Sequence, residues 1–380
     1  MPQKNYENGR LLCRVTMKSV FNICGARPNF MKIAPLVHAM QRSSKLRSTI
    51  VHTGQHYSPT LSDVFFEELK IPRPEISLEV GSLPRAEQIA LIEERFTPIV
   101  EREAPSLILV VGDVNSTVAC ARVARRFGVP VAHVEAGLRS FDLDMPEEHN
   151  RIETDQLSDI LYVTEESGMA NLCNERVPGK AVLVGNVMID TLVANLDRAR
   201  NSDIRARLGL EGGKYAVATF HRPSNVDSKD SAAKVVDALR LVAGCFPVVL
   251  PIHPRTKESF DRFGFLNVLA ATRGLHLVEP MGYFDFIGLV EQCRVVVTDS
   301  GGIQEETTYL GVPCLTMRKN SERPSTVSVG TNVLIGSNLE RLRSELENIS
   351  AGRFKKGSVP PFWDGRTAER IVADIEAFLS

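Results

Sequence analysis

The feature that most limits how this chain can fold is a rhythm. From Met17 onward short apolar runs alternate with longer amphipathic segments, first at 18–24, 30–40 and 49–53. Apolar runs this short, separated by helix-length stretches, build parallel strands, because a parallel pair needs a crossover rather than a tight turn. The clearest further strands are expected at 107–111, 129–134, 160–163, 181–184, 215–220, 247–252, 275–278 and 294–298. They are too many for one sheet, and 380 residues with a mass of 42.0 kDa accommodate two cored domains.

The division is expected at Gly185-Asn186, after which 188–208 reads as one long helix opening a second series. A final helix at about 367–379 follows Pro360-Pro361 and Gly365, punctuation suited to a chain crossing back. The expected organisation is therefore a flexible extension over 1–16, a first domain over 17–185 joined by a returning helix in 362–380, and a second domain over 186–361. Two open α/β sheets facing each other direct the carboxyl ends of their strands into one cleft, where such sheets bind ligands.

Composition narrows the function classes. With 45 basic and 46 acidic side chains the formal charge is −1, which implies neither a nucleic-acid partner nor a strongly charged one. No apolar run approaches the roughly 18 to 20 residues that span a bilayer, and 11–13 is too brief for a secretory core. The seven cysteines contain no CxxC pair, so they read as reduced thiols of a cytoplasmic protein. His52 and His56 are four apart, but Gly54 interrupts the helix that such metal-ligand spacing requires, so no metal site is expected.

The chemistry is expected on strand-to-helix loops. In 25–32 an apolar strand ends at Gly25 and a helix begins near Pro28, with Arg27 and Lys32 beside free backbone N–H groups, the form of an anion site; a plain turn fits the same residues. In 298–306 the amides of Ser300, Gly301 and Gly302 can wrap a diphosphate oxygen, and a glutamate one turn on can accept from ribose hydroxyls. Arg323 offers a guanidinium to the same anion. No two glycines are separated by a single residue, so GxGxxG is absent, and no Walker A loop occurs; a nucleoside diphosphate conjugate is favoured over NAD or a triphosphate. Asp113, Glu135 and the pair Glu147-Glu148 stand at or after strand ends, where crowding and burial can lift one carboxyl toward neutrality beside an ionised one. Pairing with Arg139 or Arg151 is the bland alternative for any one of them. His221 follows a strand of the second domain and can hold or protonate a leaving phosphate, with His253 competing for that role.

Together the segments GARPNFMKIAPL (25–36), TGQH (53–56), GDVNST (112–117), HVEAGLRS (133–140), MPEEHNR (145–151), GNVMIDTL (185–192), HRPSN (221–225), TDSGGIQEE (298–306) and ERP (322–324) resemble, in order, the non-hydrolysing UDP-N-acetylglucosamine 2-epimerases. The resemblance implies a glycosyltransferase-B-like pair of Rossmann-like domains around a central cleft, a UDP-sugar substrate, no cofactor, no membrane or nucleic-acid partner, and a homodimer. It implies inversion at C2 to give UDP-N-acetylmannosamine, through elimination of UDP to a 2-acetamidoglucal and re-addition. Matched residue by residue, Asp113, Glu135, Glu147 and His221 become catalytic, and Arg27, Lys32, Phe286, Ser300, Gly301, Gly302, Glu306 and Arg323 become UDP-sugar contacts. Gln55, His56 and His253 match a second, activating place for substrate between the domains. Asn29 stands where many members carry an acidic residue, and 53–57 and 65–69 are also similar to relatives acting on diacetamido uronic acid nucleotides. A glycosyltransferase of the same fold is the alternative from another reaction class.

Overall fold

The computed structural model describes residues 17–54 and 66–380, together with the backbone of two short strands nearer the N-terminus. Those strands, β1 (Tyr6–Glu7) and β2 (Arg10–Leu11), pair antiparallel where the sequence shows no period. Gln55, His56 and the side chain of Arg27 lie outside the described residues.

Two parallel sheets carry the rest. The first contains β3 (Lys18–Cys24), β4 (Leu46–His52), β5 (Ile76–Ser77), β6 (Leu107–Val111), β7 (Val131–Ala136), β8 (Ile160–Val163) and β9 (Lys180–Leu183), in the spatial order β5-β4-β3-β6-β7-β8-β9. The second contains β10 (Ala216–Thr219), β11 (Val248–Pro251), β12 (Leu275–Val278), β13 (Val295–Thr298), β14 (Cys314–Thr316) and β15 (Asn332–Leu334), in the order β12-β11-β10-β13-β14-β15. Winding reverses between β3 and β6 in one sheet and between β10 and β13 in the other, and a crevice opens at such a switch point. The loops singled out from sequence, after β3, β6, β10 and β13, all emerge there.

The strands are continuous apolar runs because helices cover both faces of each sheet; every residue of β6 is buried. On one face of the first sheet Ile33, Leu36 and Met40 pack with Ile371, Val372 and Ile375 of the final helix Thr367–Phe378. The last helix thus completes the core of the first sheet. Its first turn is capped by Asp190, which accepts from the N–H groups of Thr367 at 3.0 Å and Ala368 at 2.7 Å. Gly185 adopts φ 99°, and a Cβ there would lie 2.1 Å from the carbonyl oxygen of Phe362, so the two connections between the sheets cross backbone against backbone.

Two sequence expectations need correction, and three short strands were not foreseen. The helix expected over 188–208 stops at Arg200 and restarts as Ile204–Arg207. The intervening Asn201-Ser202-Asp203 favours caps over helix: Ser202 Oγ accepts from Ile204 N at 3.2 Å and donates to Asp285. The strand expected at 129–134 lies at 131–136, which puts Glu135 inside β7. β5, β14 and β15 are too short for a period to show. No helix among the described residues is long and apolar enough to cross a membrane.

Candidate active site

On the first domain's wall of the cleft, Asn29 fixes the loop after β3. Its Oδ1 accepts from Gly25 N at 3.2 Å and Ala26 N at 2.9 Å, while its Nδ2 donates to the carbonyl of Val111 at 3.2 Å, joining the ends of β3 and β6. An acidic residue could not make that last bond. One turn along the helix Arg27–Gln41, buried Lys32 reaches Glu135 Oε2 at 2.5 Å.

Glu135 is aimed by a backbone irregularity. It adopts φ 70°, and the β7–β8 register shifts between Val134 and Ala136, a bulge that turns a strand residue out of its alternation. Its second oxygen, Oε1, is buried with no hydrogen-bond partner.

Asp113 pairs closely with Arg151, so the bland partner weighed from sequence is real at this position. Burial pushes its carboxyl up, but Arg151, Lys32 and Arg323 outweigh burial and hold it below the usual carboxylate range. The expected lift toward neutrality therefore does not occur at Asp113, which is ionised at neutral pH. Arg151 also binds Glu148 at 2.7 Å and stands 3.9 Å from Glu322 on the opposite domain.

The adjacent glutamates divide sharply. Glu148 is buried and accepts from Ser140 N, Ser140 Oγ and Phe141 N, at 3.0, 2.9 and 2.9 Å, besides Arg151. Glu147 instead lines a cleft of about 790 Å³ between the domains, shared with Arg222, Asn225, Arg318, Lys319 and Asn320.

On the second domain, wholly buried Asp299 organises the loop after β10. It accepts from His221 N at 3.1 Å, Arg222 N at 3.0 Å and Asn225 Nδ2 at 3.0 Å, and lies 3.2 Å from His221 Nδ1. Burial raises its carboxyl, and His221, Asn225 and the Arg222 amide more than offset that, keeping it ionised. An ionised partner assigns the Nδ1 proton of His221 and leaves Nε2 for other work. The His253 ring lies 5.5 Å from that of His221, but His253 Nδ1 caps its own helix by accepting from Arg255 N at 3.2 Å.

Ser300 precedes the helix Gly301–Leu310. A Cβ on Gly301 would sit 2.8 Å from Arg323 Nη1, so only glycine lets the guanidinium lie against the helix end. An arginine and a helix N-terminus then converge, which favours an anion. Phe286, half-buried on the helix Tyr283–Glu291, packs with Ile287 and Ile303 beside this helix.

Glu306 is buried next to Tyr283, and burial pushes its carboxyl up to about 8. At pH 7 it is a proton donor rather than the acceptor read from sequence. An unfolded glutamate ionises near pH 4.3, so between there and about 8 the folded chain holds a proton that the unfolded chain lacks, and stability falls as pH rises. Glu306→Gln is expected to flatten this slope; melting temperatures measured from pH 5 to 9 that fall equally in both proteins would refute it.

Arg151, Glu148, Asp299, Glu305 and Glu322 complete the buried charge network. Arg151 and Glu322 lie in segments already singled out; nothing local told which opposite charges they meet. Among the described residues no group of three or more His, Cys, Asp or Glu side chains is arranged for a metal ion. Buried His52 packs on Phe30.

Residues 38–376 match the family model described as UDP-N-acetylglucosamine 2-epimerase. The chain is 38% identical over 356 residues to the UDP-N-acetylglucosamine 2-epimerase of Methanocaldococcus jannaschii, covering 92% of this chain and 96% of that one. It is 37% identical over 357 residues to the UDP-2,3-diacetamido-2,3-dideoxy-D-glucuronate 2-epimerase of Pseudomonas aeruginosa, covering 93% and 98%. Its fold matches the crystal structure of the Methanocaldococcus jannaschii UDP-GlcNAc 2-epimerase in complex with UDP-GlcNAc and UDP at a TM-score of 0.86 and 36% identity, over 94% of this chain and 99% of that one. Facing Rossmann-like domains, carboxylates on one wall, an arginine-backed helix end on the other and these full-length likenesses lead to one conclusion: the chain belongs to the UDP-N-acetylglucosamine 2-epimerase family.

Proposed function

We propose that the chain interconverts UDP-N-acetylglucosamine and UDP-N-acetylmannosamine by eliminating and re-adding UDP. The observation that carries this reading is the opposition of Asp113, Glu135 and Glu147 on one domain to Arg323 and the Gly301 helix end on the other. The C2 proton is not acidic by itself, so its removal must accompany cleavage of the bond from C1 to the phosphate oxygen. A carboxylate takes the proton, the C–H electrons form the C1–C2 double bond, and the C1–O electrons leave on the diphosphate. The amides after Ser300, with Arg323 and Lys32, stabilise that departing charge, and the His221 imidazolium, with Nδ1 on ionised Asp299, donates to it from Nε2. Protonation of the glucal on the opposite face by a second carboxyl group, with attack of the UDP oxygen on C1, completes the inversion. Asp113, held ionised, suits the accepting role.

A second reading, a UDP-diacetamido uronic acid as substrate, is favoured by the Pseudomonas aeruginosa relative and by the cations Arg222, Lys234 and Lys319 along the cleft, which suit a sugar carboxylate. We also take Gly185-Asn186 as the domain division and His253 as part of any activating place for substrate.

Proton NMR of UDP-N-acetylglucosamine with the protein in deuterated water is the test. The expected result is UDP-N-acetylmannosamine carrying deuterium at C2. Free sugar plus UDP would replace this mechanism with hydrolysis, and an unchanged spectrum would shift the proposal to uronic acid nucleotides or to glycosyl transfer.

A further inference from the structure

Glu305 has no role in the chemistry above, yet it is wholly buried where three functional parts meet. Its Oε1 lies 2.6 Å from Arg323 Nε and accepts from Asn186 Nδ2 at 2.9 Å. Asn186 belongs to the connection between the two sheets: its Oδ1 accepts from Met188 N at 2.9 Å, capping the helix Val187–Arg200, and Gly185 before it abuts Phe362 on the returning connection. Arg323 in turn lies against the end of the helix Gly301–Leu310.

The surroundings would otherwise leave that guanidinium several directions. Glu322 Oε2 is 3.6 Å from Arg323 Nη1, and Glu135 on β7 also attracts it. Lys32 and Glu306 are the remaining charged neighbours of Glu305. The Glu305 carboxylate holds the guanidinium by charge from its Nε side, with no hydrogen bond to Nε, while Nη1 and Nη2 lie against the helix end; a fork held there is what two-point binding of a phosphate requires.

We propose that Glu305 is a positioning residue for the diphosphate-binding arginine: anchored by Asn186, it holds the Arg323 guanidinium against the end of the helix Gly301–Leu310 and ties the anion site to the segment that joins the two domains. The inference rests on the reading of Arg323 as a diphosphate ligand.

The test is a mutant cycle on the dissociation constant of UDP, measured by calorimetry on the full chain with melting curves to establish folding. Glu305→Gln keeps an oxygen for Asn186 but removes the charged partner of Nε, and should weaken UDP binding about tenfold to a hundredfold. In an Arg323→Met background the same change should have no further effect, because Glu305 acts through Arg323. A structural role alone would weaken both backgrounds equally. Asn186→Ala should weaken UDP binding several-fold and likewise lose its effect with Arg323→Met; this milder pair decides the question if Glu305→Gln does not fold. Additive effects, or UDP affinity unchanged in Glu305→Gln, would overturn the proposal. UDP affinity unchanged in Arg323→Met would overturn the diphosphate assignment itself, and the inference with it.

Discussion

Asp113→Asn is expected to lower turnover about 10²- to 10⁴-fold, the range for removing a positioned general base, while UDP affinity stays close to that of the parent. The replacement keeps the shape and an oxygen for Arg151, but an amide takes no proton. The proposed diphosphate contacts, Arg323 with the helix Gly301–Leu310 on the other domain and Lys32 on the first, do not include Asp113. Turnover by NMR and UDP binding by calorimetry separate the two effects. Loss of both together would mean that Asp113 maintains the fold of the cleft, and full turnover would remove it from the chemistry.

The second large effect is on stability. Arg151 is 6% exposed and neutralises Asp113 and Glu148 at once, with Glu322 on the opposite domain nearby; Glu148 and Glu322 are 1% and 0% exposed. Arg151→Ala leaves these carboxylates without their shared cation, and breaking a buried pair from one side costs about 3–5 kcal/mol. The sign of its pH dependence follows from Asp113 and Glu322. Burial opposes ionisation of both, but Arg151 and Arg323 at both sites, with Lys32 at Asp113 and Arg318 at Glu322, hold both carboxyl groups below their ordinary range. Groups depressed in this way stabilise the folded chain above their unfolded pKa, near 4, and lose that contribution as pH falls through the lower folded values. The deficit of Arg151→Ala should therefore be largest at neutral pH and shrink in acid. Urea unfolding at pH 7 and pH 4 measures it; a deficit below about 1 kcal/mol at pH 7 would show that the network contributes no more than surface pairs do.

Much of the architecture was legible because it depends on short-range pattern. Leu107–Val111 reads as a strand buried on both faces, and it is one; Pro28 beside Gly25 and Ser300 before Gly301 mark helix starts whatever surrounds them. The break after Arg200 has a local signal in Asn201-Ser202-Asp203, which the reading of 188–208 as one helix passed over. Short strands such as β14 carried no period at all and were found only through their neighbours in the sheet.

At the site the sequence by itself determined which loops stand at the strand ends that face the cleft, because glycine, proline and an acid at the end of an apolar run restrict backbone and solvation locally. It also determined the ordered set of segments shared with the family. Only the tertiary structure decided how the charges combine. Lys32 meets Glu135 across 103 positions, Asp113 meets Arg151 across 38, and Asn186 meets Glu305 across 119. It decided too that Glu148 is enclosed by Ser140 and Phe141 while Glu147 faces the cleft, and that a bulge turns Glu135 inward. The physical reason is range. Backbone preference and apolar period act over a few residues, whereas the ionisation and aim of a buried carboxylate depend on which cation the crossovers and the two facing sheets bring within a few ångströms of it.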